Sequence, residues 1–308
     1  MKEQLSILPL TAADFDRVVE IDKAITDRVR RGFYEKRFAA SAENPQDFIG
    51  LAAVRGGAVQ GFVLAHLLSG EFGVTAPVGV LDAIGVHPEA RGFCVGQRLL
   101  AGLEQALGSR GVKELRTEAD WTEHSLVGFF STAGFRLAPR LVLHRTTAPA
   151  DEAESEDGLL ARDRVAIRSL NEGDLPSLVR IDRHITGRDR ATYYARKADE
   201  VLKRSGVRVS LVAEDGGQPV GFVMARVDFG EFGRTEPVAV MDTIGVDPAS
   251  RSKQVGQALL SQLLTNLRSL HVERLITDVA WNDFSLLRFL DRSGFSPAQR
   301  LSFVKTMG

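Results

Sequence analysis

A chain of 308 residues with Lys+Arg 39 against Asp+Glu 40 carries a formal charge of −1, which removes any global electrostatic argument for a nucleic-acid partner. A hydrophobic fraction of 44% with 26% charged residues is ordinary for a soluble globular protein, and one cysteine, Cys94, excludes an internal disulfide framework or a Cys-rich zinc site. No run reaches about 18 apolar residues, so the expectation is a cytoplasmic protein without a membrane span or a structural metal.

In chain order, Ser6–Leu8 reads as a short opening strand, with Thr11 as the N-cap of two helical stretches that run to about Phe38. Leu51–Val54 and Val59–Leu67 read as strands turning at Gly56-Gly57, and Val78–Val86 as a third, mostly apolar and therefore central strand. A helix follows with Val95, Leu99, Leu100, Leu103 and Leu107 on one stripe. Leu115, Thr117 and Ala119 alternate as a strand, a helix runs from about Ser125 to Gly134, and a last strand pair closes the unit.

The same pattern then returns at a fixed offset of 160 residues, without a gap from Ile7/Ile167 to Thr146/Thr306. Ala166–Arg168, Asn171, Gly216-Gly217, the stripe Val255, Leu259, Leu260, Leu263 and Leu267, and Leu275, Thr277 and Val279 all have their counterparts. A period this long marks a duplicated domain rather than a solenoid, whose repeats fall at roughly 20–50 residues. The order predicts a mixed α/β sheet with helices packed on it, in domains 1–148 and 164–308. Residues 149–163, rich in acid with Pro, Ser and Gly and without apolar periodicity, read as a solvated linker.

Each central strand leads through a loop into the striped helix, as Val86-His87-Pro88-Glu89-Ala90-Arg91-Gly92-Phe93-Cys94-Val95-Gly96 in one copy. The other reads Val246-Asp247-Pro248-Ala249-Ser250-Arg251-Ser252-Lys253-Gln254-Val255-Gly256. Free N–H groups and the positive helix end make such a turn an anion site suited to a pyrophosphate. Gly96 and Gly256 would allow close backbone approach, and Arg91, Arg251 and Lys253 add positive charge.

These loops, RGFCVG and RSKQVG, each behind a V-x-P strand exit, resemble the signature of the GNAT superfamily of acyl-CoA-dependent N-acyltransferases. The resemblance covers both copies in element order and includes the pairs Gly134-Phe135 and Gly294-Phe295. It implies two tandem GNAT-like domains. It also implies acetyl-CoA, or another short acyl-CoA, as co-substrate, held by Ile84, Val86, Arg91, Gly92, Val95 and Gly96. The second set is Ile244, Val246, Arg251, Lys253, Val255 and Gly256. The implied acceptor is a primary amine, on a small molecule or a protein lysine, with a monomer or homodimer as the assembly. Direct attack on the thioester is favoured over an acyl-enzyme, because Cys94 lies at the phosphate loop. The alternative is a non-catalytic or half-degenerate acyl-CoA-binding regulatory module.

Two departures from the family pattern stand out. The middle glycine of the signature is Cys94 in one copy and Gln254 in the other. The tyrosine that many relatives carry four residues before the GF pair, where it protonates the thiolate, is Phe130 and Leu290 here.

Asp82 and Asp242 each interrupt an apolar central strand. A buried carboxylate must be bonded, paired or neutralised. Each therefore reads either as the general base or amine-binding carboxylate, or as a structural group bonded to backbone or an arginine. Strand alternation would put Asp82 on one face with Ile84 and Val86. Glu71 and Glu231 are candidate second carboxylates. Asp22 and Arg28, repeated as Asp182 and Arg188, are candidates for the acceptor pocket or for an ion pair. Tyr34 and Tyr194 are candidates at the acceptor cleft, and Trp121 and Trp281 read mainly as packing.

Overall fold

The computed structural model describes residues 4–69, 76–149, 152–199, 201–202, 207–228 and 238–307. It divides into two compact units. In the first, strand β1 (Ser6–Pro9) leads to helices α1 (Phe15–Thr26) and α2 (Arg31–Glu43). Next come β2 (Phe48–Arg55), β3 (Ala58–Ser69), β4 (Pro77–Val86), α3 (Val95–Gly108), β5 (Glu114–Asp120), α4 (His124–Thr132) and the two-residue β6 (Arg136–Leu137). The β2–β3 turn needs two residues in the left-handed region, and Gly56 and Gly57 supply φ of 60° and 76°.

Residues of the second copy repeat this order. Strand β7 (Arg140–Thr146) and helix α5 (Glu152–Arg164) precede β8 (Ala166–Ser169), α6 (Leu175–Thr186), α7 (Ala191–Asp199), β9 (Leu211–Asp215) and β10 (Gln218–Asp228). Then follow β11 (Val238–Val246), α8 (Val255–Ser269), β12 (Arg274–Ala280), α9 (Phe284–Arg292), β13 (Ser296–Pro297) and β14 (Arg300–Thr306).

Among the described residues each unit holds one seven-stranded sheet, ordered β1-β2-β3-β4-β5-β14-β6 and β13-β7-β12-β11-β10-β9-β8. The expectation that each copy closes with its own strand pair is therefore corrected. β14 pairs antiparallel with β5, and β7 with β12, so the last long strand of each copy completes the other copy's sheet. The two strands, RLVLHRT and RLSFVKT, present the same alternation, and alternation records a face but not a partner. Each exchanged strand carries an ion pair at the same register position. Arg300 Nε donates to Glu118 Oε2 at 2.9 Å, and Arg140 Nε donates to Asp278 Oδ2 at 2.7 Å. The sequence copies 1–148 and 164–308 thus differ from the compact units, which comprise 4–138 with 299–307, and 139–228 with 238–298.

The sheet of each unit separates two apolar cores. In the first unit, α3 and α4 cover one face and α1 and α2 the other, with Leu99, Leu103 and Leu107 fully buried against the former. The stretch read as a solvated linker contains α5. Its Gly158, Ala161 and the following Val165 share one face, and Ala161 and Val165 join the core around α8. Small residues at that spacing let two helices approach closely, a signal masked in the sequence by the acidic run.

Candidate active site

β4 and β5 run parallel but pair only at Gly79–Leu115 and Val80–Arg116, after which they part. β11 and β12 do the same at Ala239–Leu275 and Val240–Ile276. At each fork a threonine closes the last contact. Thr117 Oγ1 donates to the Leu81 carbonyl at 3.0 Å, and Thr277 Oγ1 to the Met241 carbonyl at 3.0 Å. Beyond the fork the central strand presents an open edge, which an extended ligand arm bearing amides can pair with.

Asp82 stands at this fork as the extra residue of a β-bulge. Leu64 pairs with Ala83 and Ala65 with Leu81, leaving Asp82 between them. Asp242 occupies the same bulge between Met241 and Thr243. The bulge corrects the expectation that Asp82 shares a face with Ile84 and Val86, because one inserted residue reverses the alternation. Ile84 and Val86 pack with the α3 core, while Asp82 reaches Arg37 of α2 and His66 of β3.

The Asp82 side chain is 1% exposed. His66 Nδ1 donates to its Oδ2 at 2.8 Å, and the Arg37 guanidinium stands 3.3 Å from Oδ1. The imidazole also lies against Phe48, with ring centroids 5.9 Å apart. In the second unit the corresponding positions are Lys197, Arg226 and Asp242. Lys197 Nζ donates to Asp242 Oδ1 at 3.2 Å, and Arg226 stands 3.6 Å from the same oxygen. One carboxylate thus meets a guanidinium and an imidazole in the first unit, and an amine and a guanidinium in the second.

His66 was not singled out from the sequence, nor was Arg37. The signal that found Asp82 also marks His66 and Arg226, since each is a polar residue inside an apolar strand. Among the described residues no group of three His, Cys, Asp or Glu could hold a metal, and no helix is long and apolar enough to cross a membrane.

At the anion loop the first unit places Arg91 on the surface, Gly92 at φ 82° and Cys94 at φ 55° as the N-cap of α3. Gln254 takes φ 57° at the same place before α8. Both hold the left-handed conformation that the missing glycine would favour, at a cost of roughly 1–3 kcal/mol each. Their side chains do not act alike. Cys94 is exposed, whereas Gln254 Oε1 accepts from Arg164 of α5 at 3.1 Å. The side chains of 251–253, including Arg251 and Lys253, lie outside the described residues, as do Glu71 and Glu231.

Val95 and Val255 are buried, so only their backbones face the loop. A Cβ on Gly96 would lie 3.2 Å from Phe129, and one on Gly256 3.3 Å from Phe289, so these glycines let α4 and α9 pack closely. Ile244 and Val246 pack with the α8 core, as Ile84 and Val86 do with theirs. At the strand exit, Asp247 accepts from Arg180 at 2.8 Å and from the Ala249 N–H at 3.2 Å, where the first unit has His87. Burial alone would raise the Asp247 carboxyl. The Ala249 amide, Arg180 and His184 outweigh it and hold the group below its ordinary range.

Other sequence candidates settle into structure. Tyr34 and Tyr194 are fully buried rather than at a surface, and burial pushes both phenols up. Tyr194 donates to Asp182 at 2.9 Å. Asp22 and Asp182 bind Arg30 and Arg190, not Arg28 and Arg188, and so staple α1 to α2 and α6 to α7. Phe130 and Leu290 lie in the cores, so neither position faces a leaving group. Trp121 and Trp281 are about half exposed, which corrects their reading as packing.

The sequence profile of the acetyltransferase (GNAT) family matches this chain twice, over residues 15–135 and 175–295. Among curated protein sequences none matches. The chain is similar in fold to the glucosamine N-acetyltransferase region of a fungal β-N-acetylglucosaminidase, with a TM-score of 0.70 and 13% identity over 99% of this chain. It spans 38% of that protein's length. A GCN5-related N-acetyltransferase from Sphaerobacter thermophilus gives 0.66 at 16% identity, covering 98% of this chain and 96% of that one. A tandem GNAT protein from the clavulanic acid biosynthesis pathway gives 0.64 at 15%, covering 99% of each. With two profile matches spanning most of the chain and a duplicated sheet forked at the central strand, the protein belongs to the acetyltransferase (GNAT) family.

Proposed function

We propose that this protein is a cytoplasmic N-acetyltransferase that moves the acetyl group of acetyl-CoA, or another short acyl group, to a primary amine. In this reading the first unit carries the chemistry. The observation that carries it is the bond from His66 to Asp82 at the fork. The Asp82 side chain is 1% exposed and that of His66 11%, so the imidazole is the group of the pair open to an incoming amine. The carboxylate orients the imidazole, and Arg37 balances the carboxylate's charge. The amine nitrogen attacks the thioester carbon and gives its proton to His66. The C–S bond then breaks and CoA leaves as thiolate. Phe130 offers no proton at the position where many relatives place a tyrosine, so protonation of the thiolate falls to another group.

The second unit supports a different role. Asp242, between Lys197 and Arg226, is a carboxylate held by two cations, a poor proton acceptor. We read this half as a degenerate copy that completes the fold. The acceptor is a small-molecule amine or a protein lysine, and the assembly a monomer or homodimer. The test is release of CoA thiol from acetyl-CoA across a panel of amines. No amine-dependent release from the intact chain would remove the enzyme reading and leave the binding module.

A further inference from the structure

Phe93 is an aromatic side chain in the middle of the first unit's anion loop, and 59% of it is exposed. The guanidinium carbon of Arg55, at the end of β2, stands 4.7 Å from its ring centroid. The two residues meet because loop and hairpin share one end of the sheet. Gly61 of β3 pairs with Val86 at the end of β4, and the His87 N–H donates to the Gln60 carbonyl at 2.9 Å. A guanidinium held against a ring keeps its N–H fork for an anion.

Surface packing explains part of this, since a cation over a ring shields one side of it from water. It does not explain the place. The strand order β2-β3-β4-β5 puts the hairpin on the far side of β4 from the fork. A CoA thioester with its reacting carbon at the fork and its pyrophosphate on the loop still has its adenosine and 3′-phosphate to place, outward of the loop. The second copy lacks the pair. It has Lys253 for Phe93 and Asp215 for Arg55, and Ala258 for the exposed Arg98 in the first turn of α3.

We propose, resting on the acyl-CoA reading of the first unit, that Phe93 and Arg55 grip the nucleotide end of the co-substrate. Adenine stacks on the exposed Phe93 ring, and the 3′-phosphate meets the Arg55 guanidinium. A purine is flat and stacks on an aromatic side chain, and a guanidinium fork matches a phosphate dianion. The pair thereby selects the carrier on which the acyl group arrives. An acyl group on the phosphopantetheine arm of a carrier protein has neither adenine nor 3′-phosphate, so free CoA thioesters are preferred to it.

The test is calorimetry on the full chain with ligands that share the thiol arm. They are CoA, dephospho-CoA without the 3′-phosphate, and 4′-phosphopantetheine without the adenosine as well. Wild type should bind CoA about tenfold or more tightly than phosphopantetheine, with dephospho-CoA between them. Phe93→Ala should weaken CoA and dephospho-CoA about tenfold and leave phosphopantetheine unchanged, whereas Phe93→Tyr should keep the wild-type order. Arg55→Gln should bring CoA down toward dephospho-CoA. Circular dichroism verifies the fold of each variant. Equal losses on all three ligands would mean that the residues only shape the loop, and unchanged CoA affinity in Phe93→Ala and Arg55→Gln would mean that the nucleotide end goes unread. Either result overturns the proposal and leaves the acyl-CoA reading standing. Wild type that binds none of the three ligands removes that reading and the proposal with it.

Discussion

His66 donates to Asp82 at 2.8 Å across the bulge of the central strand, and 160 residues later Arg226 stands in the place of His66 beside Asp242. A duplicated scaffold has kept the carboxylate and changed what faces it. An imidazole can take up and release a proton near neutral pH, whereas a guanidinium cannot.

Removing the imidazole should therefore slow chemistry in the first unit. His66→Gln is expected to lower turnover by about 10²–10⁴-fold while acetyl-CoA affinity changes little. Asp82→Asn should follow in the same direction, with acetyl-CoA affinity again little changed. Turnover of His66→Gln within twofold of wild type would remove the dyad from the mechanism.

Asp242 should behave as structure. Asp242→Asn leaves Lys197, 2% exposed, and Arg226 beside a neutral amide, and breaking such a buried pair costs about 3–5 kcal/mol. The expected result is a lower unfolding midpoint for the second unit, with turnover per folded molecule unchanged. A loss of turnover matching that of Asp82→Asn would restore symmetry between the copies.

The anion loops should differ in the same sense. Asp247 sets a carboxylate at the mouth of the second loop, and Gln254 is tied to Arg164 of α5. One acetyl-CoA per chain is expected, with Arg91→Glu weakening it tenfold or more and Arg251→Glu leaving it near wild type. Calorimetric stoichiometry of two, or insensitivity to Arg91→Glu, contradicts this assignment.

Strand exchange makes a crossed prediction about stability. Phe303, near the end of the chain, is buried in the core of the first unit, and Leu143, from the first copy, in that of the second. Phe303→Ala should cost about 3–5 kcal/mol and Leu143→Ala about 2–5 kcal/mol. Hydrogen exchange locates the damage. Phe303→Ala should loosen β5, and Leu143→Ala should loosen β12. The opposite pattern would mean that each copy closes with its own strand.

Acid should act through Asp174. Burial raises its carboxyl, but Arg168 and the Asn171 amide outweigh that and hold it below its ordinary value of 3.8. A depressed folded-state pKa adds stability that is present above the unfolded value, near 3.9, and is lost as pH falls through the folded one. Asp174→Asn should thus be less stable than wild type at pH 7. The gap should close below about pH 3.8, as urea denaturation across pH would read. A gap that is constant or widens in acid contradicts the assignment.

Much of this was legible in the sequence, because period and punctuation are local. The leucine stripe of α3 is buried as its spacing predicts, and Gly56-Gly57 makes the turn that two left-handed residues require. The Asp82 position was found because a charge in an apolar strand is costly and needs a partner. Its partners were not found, since Arg37 and His66 approach from another helix and another strand. The bulge that turns Asp82 from Ile84 is set by register with β3, which strand alternation alone does not contain.

The sequence by itself determined the duplication and the order of elements, for these rest on spacing along the chain. Only the tertiary structure decided which strand completes which sheet, that the acidic stretch becomes a helix against α8, and what faces each aspartate. Those outcomes depend on contacts between separate elements, such as β14 with β5 and Arg226 of β10 with Asp242 of β11. Two copies with nearly the same local pattern can therefore surround the same carboxylate with different chemistry.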